Sequence, residues 1–257
     1  MRLAKILFST FFWIFFVVSA MCGFVVGASI HLLLDLTGID RERRFMHWYI
    51  NSWMFNYLRM NPLWKIKFVG KERLPKGGAV FVANHQSLAD ILVSFGLGTQ
   101  YRFVSKAILF KTPLVGWSMK LCGYIPLVRG DSSSARVMMD QCRYWIRRGI
   151  PVYIYPEGTF NKGDRLLPFR RGAFVLAIEE KVPIVPIAIS GTSGLVFEDS
   201  PLLSFRANVK FEILDPIMPE TFGDDPVALG ARSREIISKA LGFPIEEDPQ
   251  KPAKIAD

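Results

Sequence analysis

Cysteine and histidine are scarce in this sequence, with three residues of each among 257. Cys22, Cys122 and Cys142 lie far apart, so neither a zinc-ligand spacing nor a disulfide framework is present. We therefore expect reduced thiols, no bound metal and a folded part that faces the cytoplasm. The sequence also lacks a G-x-S-x-G motif, which argues against a hydrolase with a serine at a nucleophile elbow.

Acidic residues are fewer than basic ones, 23 against 32, and the formal net charge is +9. A basic balance suits an anionic partner, which can be a nucleic acid, an anionic lipid surface or a phosphorylated substrate. Composition alone does not choose among these partners. The charge is dispersed along the chain and accompanies a strongly apolar N-terminus, so we expect no nucleic-acid partner.

Formal charge is absent from residues 6–34. About 20 apolar residues cross a bilayer core, so this run is long enough for one span and too short for two. A cleaved signal peptide would have a shorter apolar core. Two membrane arrangements stay open: a single tilted span, or a hairpin that breaks near Gly23 and Gly27 and enters one leaflet. Basic residues flank the run and place its C-terminal end inside by the positive-inside rule: Arg2, Lys5, Arg41, Arg43 and Arg44.

Residues 40–60 are amphipathic, with aromatic and basic side chains interleaved. This pattern suits a helix at a lipid interface and equally suits a helix that faces a protein core. Both interpretations stay open.

From residue 61 onward, short β-rich runs alternate with helical stretches, which predicts an α/β fold. We expect a single layered domain with a mostly parallel or mixed sheet flanked by helices. The predicted strands are 65–69, 79–83, 102–105, 123–128, 151–155, 184–190 and 209–214, and the predicted helices are 88–97, 113–121, 132–148, 169–180 and 227–241. The expected organisation is membrane-anchoring helices in 1–60, a catalytic domain in 61–243 and a polar, disordered tail in 244–257.

A polar loop after the predicted strand 79–83 holds the residues best suited to chemistry, Asn84, His85 and Asp90. Five residues turn a regular helix by about 500°, so His85 and Asp90 would not share a helix face. They can meet if His85 lies in the loop and Asp90 in the following turn. A carboxylate on one imidazole nitrogen then leaves the other free to take a proton from a hydroxyl. Taken alone, such a pair is more often structural than catalytic, and Ser87 between them suits a helix cap better than a nucleophile.

Four short blocks, in this order, resemble those of the glycerolipid acyltransferases related to bacterial 1-acyl-glycerol-3-phosphate acyltransferase. The resemblance covers residues 65–190. Its blocks are Asn84-His85-x4-Asp90, Gly123-Tyr-Ile-Pro-Leu-Val-Arg129, Tyr155-Pro156-Glu157-Gly158-Thr159 and Val182-Pro-Ile-Val-Pro-Ile187.

The resemblance implies transfer of a fatty acyl group from acyl-CoA or acyl carrier protein to the sn-2 hydroxyl of 1-acyl-glycerol-3-phosphate (lysophosphatidic acid), giving phosphatidic acid. His85 would be the base and Asp90 would hold it, with no acyl-enzyme and no bound cofactor. Membrane lipids are the expected partners, at a bacterial-type inner membrane with the catalytic domain on the cytoplasmic side.

The same resemblance implies a set of substrate-binding residues. Arg129 would bind the phosphate through its planar fork, and Glu157 would orient Arg129 or bind a glycerol hydroxyl. The complete set is Asn84, Lys106, Arg129, Glu157, Gly158, Thr159, Arg170 and Arg171.

One position departs from the family pattern. An arginine often follows the E-G-T block, whereas this sequence has Phe160. The missing charge is either lost or supplied by Arg165 or Arg170. Lysophosphatidic acid is therefore the first acceptor to consider, and a lyso-ornithine lipid or another lysophospholipid is the alternative. A basic, non-enzymatic membrane or nucleic-acid-binding protein is the competing class.

Overall fold

The computed structural model describes residues 2–195 and 202–244. The predicted tail, apart from Pro244, lies outside the described residues. The helices are α1 (Arg2–Thr37), α2 (Arg44–Arg59), α3 (Ala89–Ser94), α4 (Val115–Leu121), α5 (Ser132–Ile146), α6 (Gly172–Glu180) and α7 (Pro226–Leu241). The strands are β1 (Trp64–Val69), β2 (Val80–Ala83), β3 (Arg102–Lys106), β4 (Ile125–Leu127), β5 (Val152–Ile154), β6 (Ile184–Ser190) and β7 (Ala207–Ile213).

In the described part of the chain, seven strands form one sheet in the order β1-β7-β6-β2-β5-β3-β4. Neighbouring strands are parallel except β6 and β7, which run antiparallel. Helices cover the sheet, and the predicted α/β fold with a mixed sheet is confirmed. The carboxyl ends of β2, β3, β4, β5 and β6 share one edge, where ligands bind in open α/β sheets.

The sheet separates two apolar cores, because side chains alternate along each buried strand. In β2, Phe81 and Ala83 face a core that α2 and α3 complete. Val80 and Val82 face the opposite core, against α5, α6 and α7. Burial on both faces explains the short continuous apolar runs of the central strands.

Helix α1 is continuous over 36 residues, so a hairpin broken near Gly23 and Gly27 is wrong. A helix of this length extends roughly 54 Å. The two glycines serve close packing against α2. A Cβ on Gly23 would lie 2.1 Å from the Trp53 ring, and one on Gly27 would lie 2.8 Å from the Tyr49 ring.

Helix α1 also contacts the α/β domain along its length. Near its start, the Ser9 hydroxyl accepts a hydrogen bond from the Leu203 amide at 2.9 Å. At its middle, Phe24 packs on Trp117 of α4, with ring centroids 5.3 Å apart. After its end, Arg43 Nη1 donates to the carbonyl of Lys120 at 3.0 Å. The helix therefore lies along the domain and does not project away from it.

The opposite face of α1 is exposed and apolar. The helix is long enough and apolar enough to cross a membrane. The exposed side chains include Leu7, Phe11, Ile14, Val18, Val25, Leu32 and Leu36.

Helix α2 mostly faces the protein core. This is the second of the two interpretations given for residues 40–60. Met46, Ile50 and Leu58 belong to the core beneath the sheet. Phe45 and Trp48, near its start, are exposed. The domain boundary at residue 60 remains a prediction, and α2 shares its core with the sheet.

Candidate active site

The residues predicted to carry chemistry follow different strands but meet at one edge of the sheet. His85 follows β2, Lys106 ends β3, Arg129 follows β4 and the segment 155–160 follows β5. Parallel strands place their carboxyl ends together, so positions up to 75 residues apart in the sequence become neighbours.

His85 and Asp90 form the predicted pair. His85 Nδ1 lies 2.7 Å from Asp90 Oδ2. The same oxygen accepts the backbone amides of Gln86 at 2.6 Å and Ser87 at 3.0 Å. Asp90 is fully buried in the first turn of α3. These donors fix the carboxylate, which in turn fixes the imidazole and leaves Nε2 as the free ring nitrogen.

Two aromatic rings cover the imidazole. The Tyr155 ring is stacked on His85 with centroids 3.8 Å apart and an interplanar angle of 11°. The Phe160 ring has its centroid 4.3 Å from that of His85, at 55°. The motif resemblance predicted no contact for either ring, and the two residues bracket the Pro-Glu-Gly-Thr segment.

Ser87 serves the local fold. Its hydroxyl accepts the Ala89 amide at 3.0 Å, in the first turn of α3. It also donates to the Thr192 carbonyl at 3.2 Å. Both bonds are buried, as suits a capping residue and not a nucleophile.

The predicted substrate-binding role of Asn84 is wrong in this geometry. Its side chain is 1% exposed, and its amide forms both hydrogen bonds of a closed pair with Ile189. Nδ2 donates to the Ile189 carbonyl at 2.9 Å, and Oδ1 accepts the Ile189 amide at 2.8 Å. Asn84 therefore joins the ends of β2 and β6.

Glu157 likewise positions backbone and does not contact Arg129 in any described interaction. Its Oε1 accepts the His85 amide at 3.2 Å. Its Oε2 accepts from Asn161 Nδ2 at 2.7 Å and from the Leu167 amide at 2.9 Å. Burial raises the pKa of this carboxyl, against the opposing effect of these donors. Asn161, which the sequence reasoning missed, also donates its amide to the His85 carbonyl at 2.7 Å.

A cavity of about 1110 Å³ opens beside His85. Tyr155, Phe160 and Gly158 line it beside the imidazole. Tyr155 in turn contacts Phe103 at a centroid distance of 6.1 Å. The apolar wall comes from several helices and includes Phe12, Phe16 and Phe24 of α1, Ile50 and Trp53 of α2, and Met119 of α4.

Basic side chains line the other part of the cavity. Arg129 and Arg170 both lie there, with Lys106, Gly158 and Thr159. Arg170 packs on Gly158, where an added Cβ would lie 2.7 Å from its Nε. Arg171, just before α6, is exposed and is not among the residues that line the cavity, so its role in substrate binding stays a prediction.

The two arginines are close enough to affect each other. The pKa of Arg129 is lowered by partial burial and then by the charge of Arg170. Within the described residues, neither guanidinium has an ion-pair or hydrogen-bond partner. Arg165, the other candidate to replace the missing arginine, is exposed and lies 3.7 Å from Asp164. Of the two candidates, Arg170 is therefore the one that reaches the site.

Near His85 and Asp90 lie three buried oxygens, Asp90 Oδ1, Tyr153 Oη and Tyr155 Oη. Asp90 Oδ1 has no hydrogen-bond partner among the described residues, and the two hydroxyls are close enough to interact with each other. Burial, foremost, raises the pKa of both tyrosines well above its ordinary value, and the Asp90 charge adds to the rise. The hydroxyls therefore stay protonated. Among the described residues, no group of three or more His, Cys, Asp or Glu side chains could hold a metal ion.

Fold and site together define an α/β protein with a His–Asp pair on a lipid-sized cavity that has an apolar wall and a basic end. The acyltransferase family profile matches residues 65–190. A 1-acyl-sn-glycerol-3-phosphate acyltransferase of Saccharomyces cerevisiae is 31% identical over 215 residues, which are 81% of this chain and 68% of that protein. The chain belongs to this acyltransferase family, as its motif resemblance implied.

Two further comparisons agree. A chloroplastic 1-acyl-sn-glycerol-3-phosphate acyltransferase of Brassica napus is 35% identical over 226 residues, 85% of this chain and 64% of that protein. The crystal structure of the 1-acyl-sn-glycerophosphate acyltransferase PlsC from Thermotoga maritima shares the fold, with a TM-score of 0.73, 23% identity and coverage of 94% of this chain and 96% of that one. The chain spans 64%, 53% and 48% of the length of three of the curated relatives it matches.

Proposed function

We propose that this protein transfers a fatty acyl group from an acyl thioester to the sn-2 hydroxyl of 1-acyl-glycerol-3-phosphate, giving phosphatidic acid. The observation that carries the proposal is the position of His85, which opens onto a cavity with an apolar wall and two arginines that have no ion-pair partner among the described residues. The acceptor is the one named in the relatives. Acyl-CoA or acyl carrier protein would supply the thioester.

The His85–Asp90 geometry supports direct attack. The acceptor hydroxyl oxygen would bond to the thioester carbonyl carbon as its proton passes to His85 Nε2. The imidazolium would be stabilised by Asp90 through Nδ1. Collapse of the tetrahedral intermediate would then break the carbon–sulfur bond, and the leaving thiolate would take the proton from Nε2.

An acyl-enzyme on cysteine is not supported. Cys122 lines the cavity, but burial raises the pKa of its thiol to about 12. A thiol with this pKa is almost entirely protonated at neutral pH, and the thiolate is the nucleophilic form. Ser87 is committed to hydrogen bonds in the local fold.

The two ends of the cavity suit the two ends of a lysophospholipid. Acyl chains would lie against the aromatic wall from α1 and α2. The phosphate would bind between Arg129 and Arg170, whose mutual repulsion an anion relieves. Gly172, the first residue of α6, also lines the cavity, and the N-terminal end of this helix would favour negative charge.

The apolar face of α1 would anchor the protein in the membrane. Ser9 near the start of α1 and Arg43 shortly after its end contact the same domain, so both ends of the helix would lie on the same side of the bilayer. Arg41, Arg43 and Arg44 would favour the cytoplasmic side. The cysteines are unpaired among the described residues, which agrees with that compartment; a bacterial-type inner membrane is the proposed location.

Steady-state kinetics with purified protein in detergent test the acceptor site. A charge-assisted hydrogen bond to phosphate contributes about 1.5–3 kcal/mol, so Arg129→Ala should raise KM for lysophosphatidic acid by roughly ten- to a hundredfold and change KM for acyl-CoA little. Arg129→Lys should recover part of the loss, because an ammonium cannot form the fork. Arg170→Ala should act in the same direction.

Arg232→Ala is the matched control, because Arg232 pairs with Glu235 on the surface of α7 at 2.9 Å. If Arg129→Ala raises KM only for the acyl donor, Arg129 belongs to the donor site. If a lyso-ornithine lipid is used as well as lysophosphatidic acid, the acceptor class must be redrawn.

A further inference from the structure

Two aromatic rings pack against the candidate base, and they belong to different surroundings. Tyr155 is part of the buried aromatic cluster around Phe103 and Tyr153. Phe160 lies on a loop and is only half-buried. It contributes nothing to either apolar core, yet its ring lies against His85.

The loop that carries Phe160 is hydrogen-bonded to the His85 backbone by one residue before Phe160 and one residue after it. Before Phe160, the Glu157 carboxylate accepts the His85 amide at 3.2 Å. After it, the Asn161 amide donates to the His85 carbonyl at 2.7 Å. Asn161 Nδ2 then closes the loop onto Glu157 at 2.7 Å. These bonds fix the loop backbone on either side of Phe160 relative to His85.

The consequence for access is geometric. Nδ1 is occupied by Asp90, Tyr155 is stacked on the ring, and Phe160 packs against it. His85 is 8% exposed. A hydroxyl can therefore reach Nε2 only from the cavity, and Phe160 lines that cavity beside the imidazole.

Such restriction matters for a base that works on a thioester. A water molecule at Nε2 would be activated as readily as a lipid hydroxyl. Its oxygen would attack the thioester carbonyl carbon, its proton would pass to His85, and the carbon–sulfur bond would break to give a free fatty acid and a thiol. An acyltransferase with an open base would hydrolyse its donor whenever the acceptor is absent.

We propose that Phe160 is a specificity-determining residue that excludes water from His85 and so directs the acyl group to the lipid hydroxyl. The inference rests on the proposed acyl transfer. A purely structural role would affect stability and turnover but not the ratio of the two products.

The test is the partition of one acyl thioester between two products. Purified wild type, Phe160→Ala and Phe160→Leu are incubated in detergent with radiolabelled oleoyl-CoA, with and without lysophosphatidic acid. Labelled fatty acid and labelled phosphatidic acid are then separated and counted. Phe160→Ala should raise the ratio of fatty acid to ester by roughly tenfold or more, because loss of the ring leaves space for water beside the imidazole.

Phe160→Leu should give an intermediate ratio, because leucine fills part of the space beside the imidazole, and it keeps the test informative if the alanine variant folds poorly. Tyr144→Ala is the control: this aromatic side chain is 46% exposed on α5, so its removal should leave the ratio unchanged. Combining Phe160→Ala with His85→Ala should abolish the hydrolysis, which ties it to this base.

The outcomes separate the two proposals. Ester formation by the wild type with the same product ratio in Phe160→Ala would overturn the role of Phe160 and leave the acyl transfer intact. Hydrolysis that persists without His85 would also overturn it. A wild type that makes no ester from any lysolipid would overturn the proposed function and this inference with it.

Discussion

At the scale of single residues, one carboxylate oxygen organises the candidate active site. Asp90 Oδ2 accepts from His85 Nδ1 and from two backbone amides. The two backbone amides are neutral donors, and their hydrogen bonds would remain if Asp90 were replaced by asparagine. The charge opposite the imidazole would be lost, and so would control of its tautomer.

We therefore expect Asp90→Asn to fold and to lose activity by about 10⁴ in kcat, as in other His–Asp pairs that act as a base. His85→Ala should be inactive, because no other side chain of the block can take the proton. The measurement is turnover of acyl-CoA and lysophosphatidic acid by purified variants, with thermal unfolding as the control for folding. Near-normal turnover by His85→Ala would falsify the mechanism.

Two residues predicted to bind substrate contact the protein backbone instead, for one physical reason. Asn84 and Glu157 stand in motif positions next to the base, but a motif does not say whether a polar side chain points to ligand or to backbone. The partner of Asn84 is the backbone of Ile189, 105 residues further on. Such a contact depends on strand order, which the local pattern does not contain.

At the scale of secondary-structure elements, the pairing of α1 with α2 depends on small side chains. Gly23 meets Trp53, and the Tyr49 hydroxyl donates to the Gly23 carbonyl at 3.0 Å. Ser19 Oγ and Tyr57 Oη lie 2.7 Å apart in the same interface. Because Trp53 and Tyr49 also line the cavity, the packing of α1 affects the shape of the site.

Gly23→Leu should therefore impair both stability and catalysis. An added side chain cannot fit beside the Trp53 ring, and overpacking costs typically about 1–3 kcal/mol. We expect a lower unfolding temperature in detergent and a raised KM for the lysolipid, because the aromatic wall must move. Val26→Leu, on the face of α1 where the side chain is 50% exposed, should change neither. Equal behaviour of the two variants would show that α1 does not form this wall.

The elements themselves were largely predictable, but their lateral arrangement was not. The apolar runs of β2, β5 and β6 and the Asp131 cap of α5 are local signals. The charge-free run of residues 6–34 likewise indicated a long helix. Whether Gly23 and Gly27 broke that helix or packed it depended on Trp53 and Tyr49, which belong to a different element.

At the scale of the whole molecule, α1 combines two surfaces that a simple membrane anchor would not have. One face forms part of the cavity that also contains His85. The other exposes a row of apolar side chains to the surroundings. Lipid could therefore contact the helix directly beside the candidate site. This arrangement suits a lipid acceptor, whose acyl chain need not leave the apolar phase to reach the base.

The two surfaces can be separated by substitution. Leu7, Phe11, Val18 and Val25 are between 57% and 66% exposed, so replacing all four with glutamine should weaken membrane attachment without disturbing the cavity. We expect this variant to appear increasingly in the soluble fraction after high-salt washing, yet to keep near-wild-type kcat in detergent micelles. Attachment should fall because each buried apolar side chain contributes about 1.5–3 kcal/mol in an apolar environment.

Deletion of residues 1–37 should give the opposite result. It removes the wall formed by Phe12, Phe16 and Phe24 and exposes the apolar side chains of α2 that α1 covers. We therefore expect the truncated protein to be inactive in detergent even when it remains folded, and still to bind vesicles through the surface of α2 that has been uncovered. Both proteins are assayed with the same acyl-CoA and lysophosphatidic acid, and attachment is measured by flotation with vesicles. Full turnover by the truncated protein would mean that α1 is only an anchor, and that the cavity beside His85 holds the acyl chain without it.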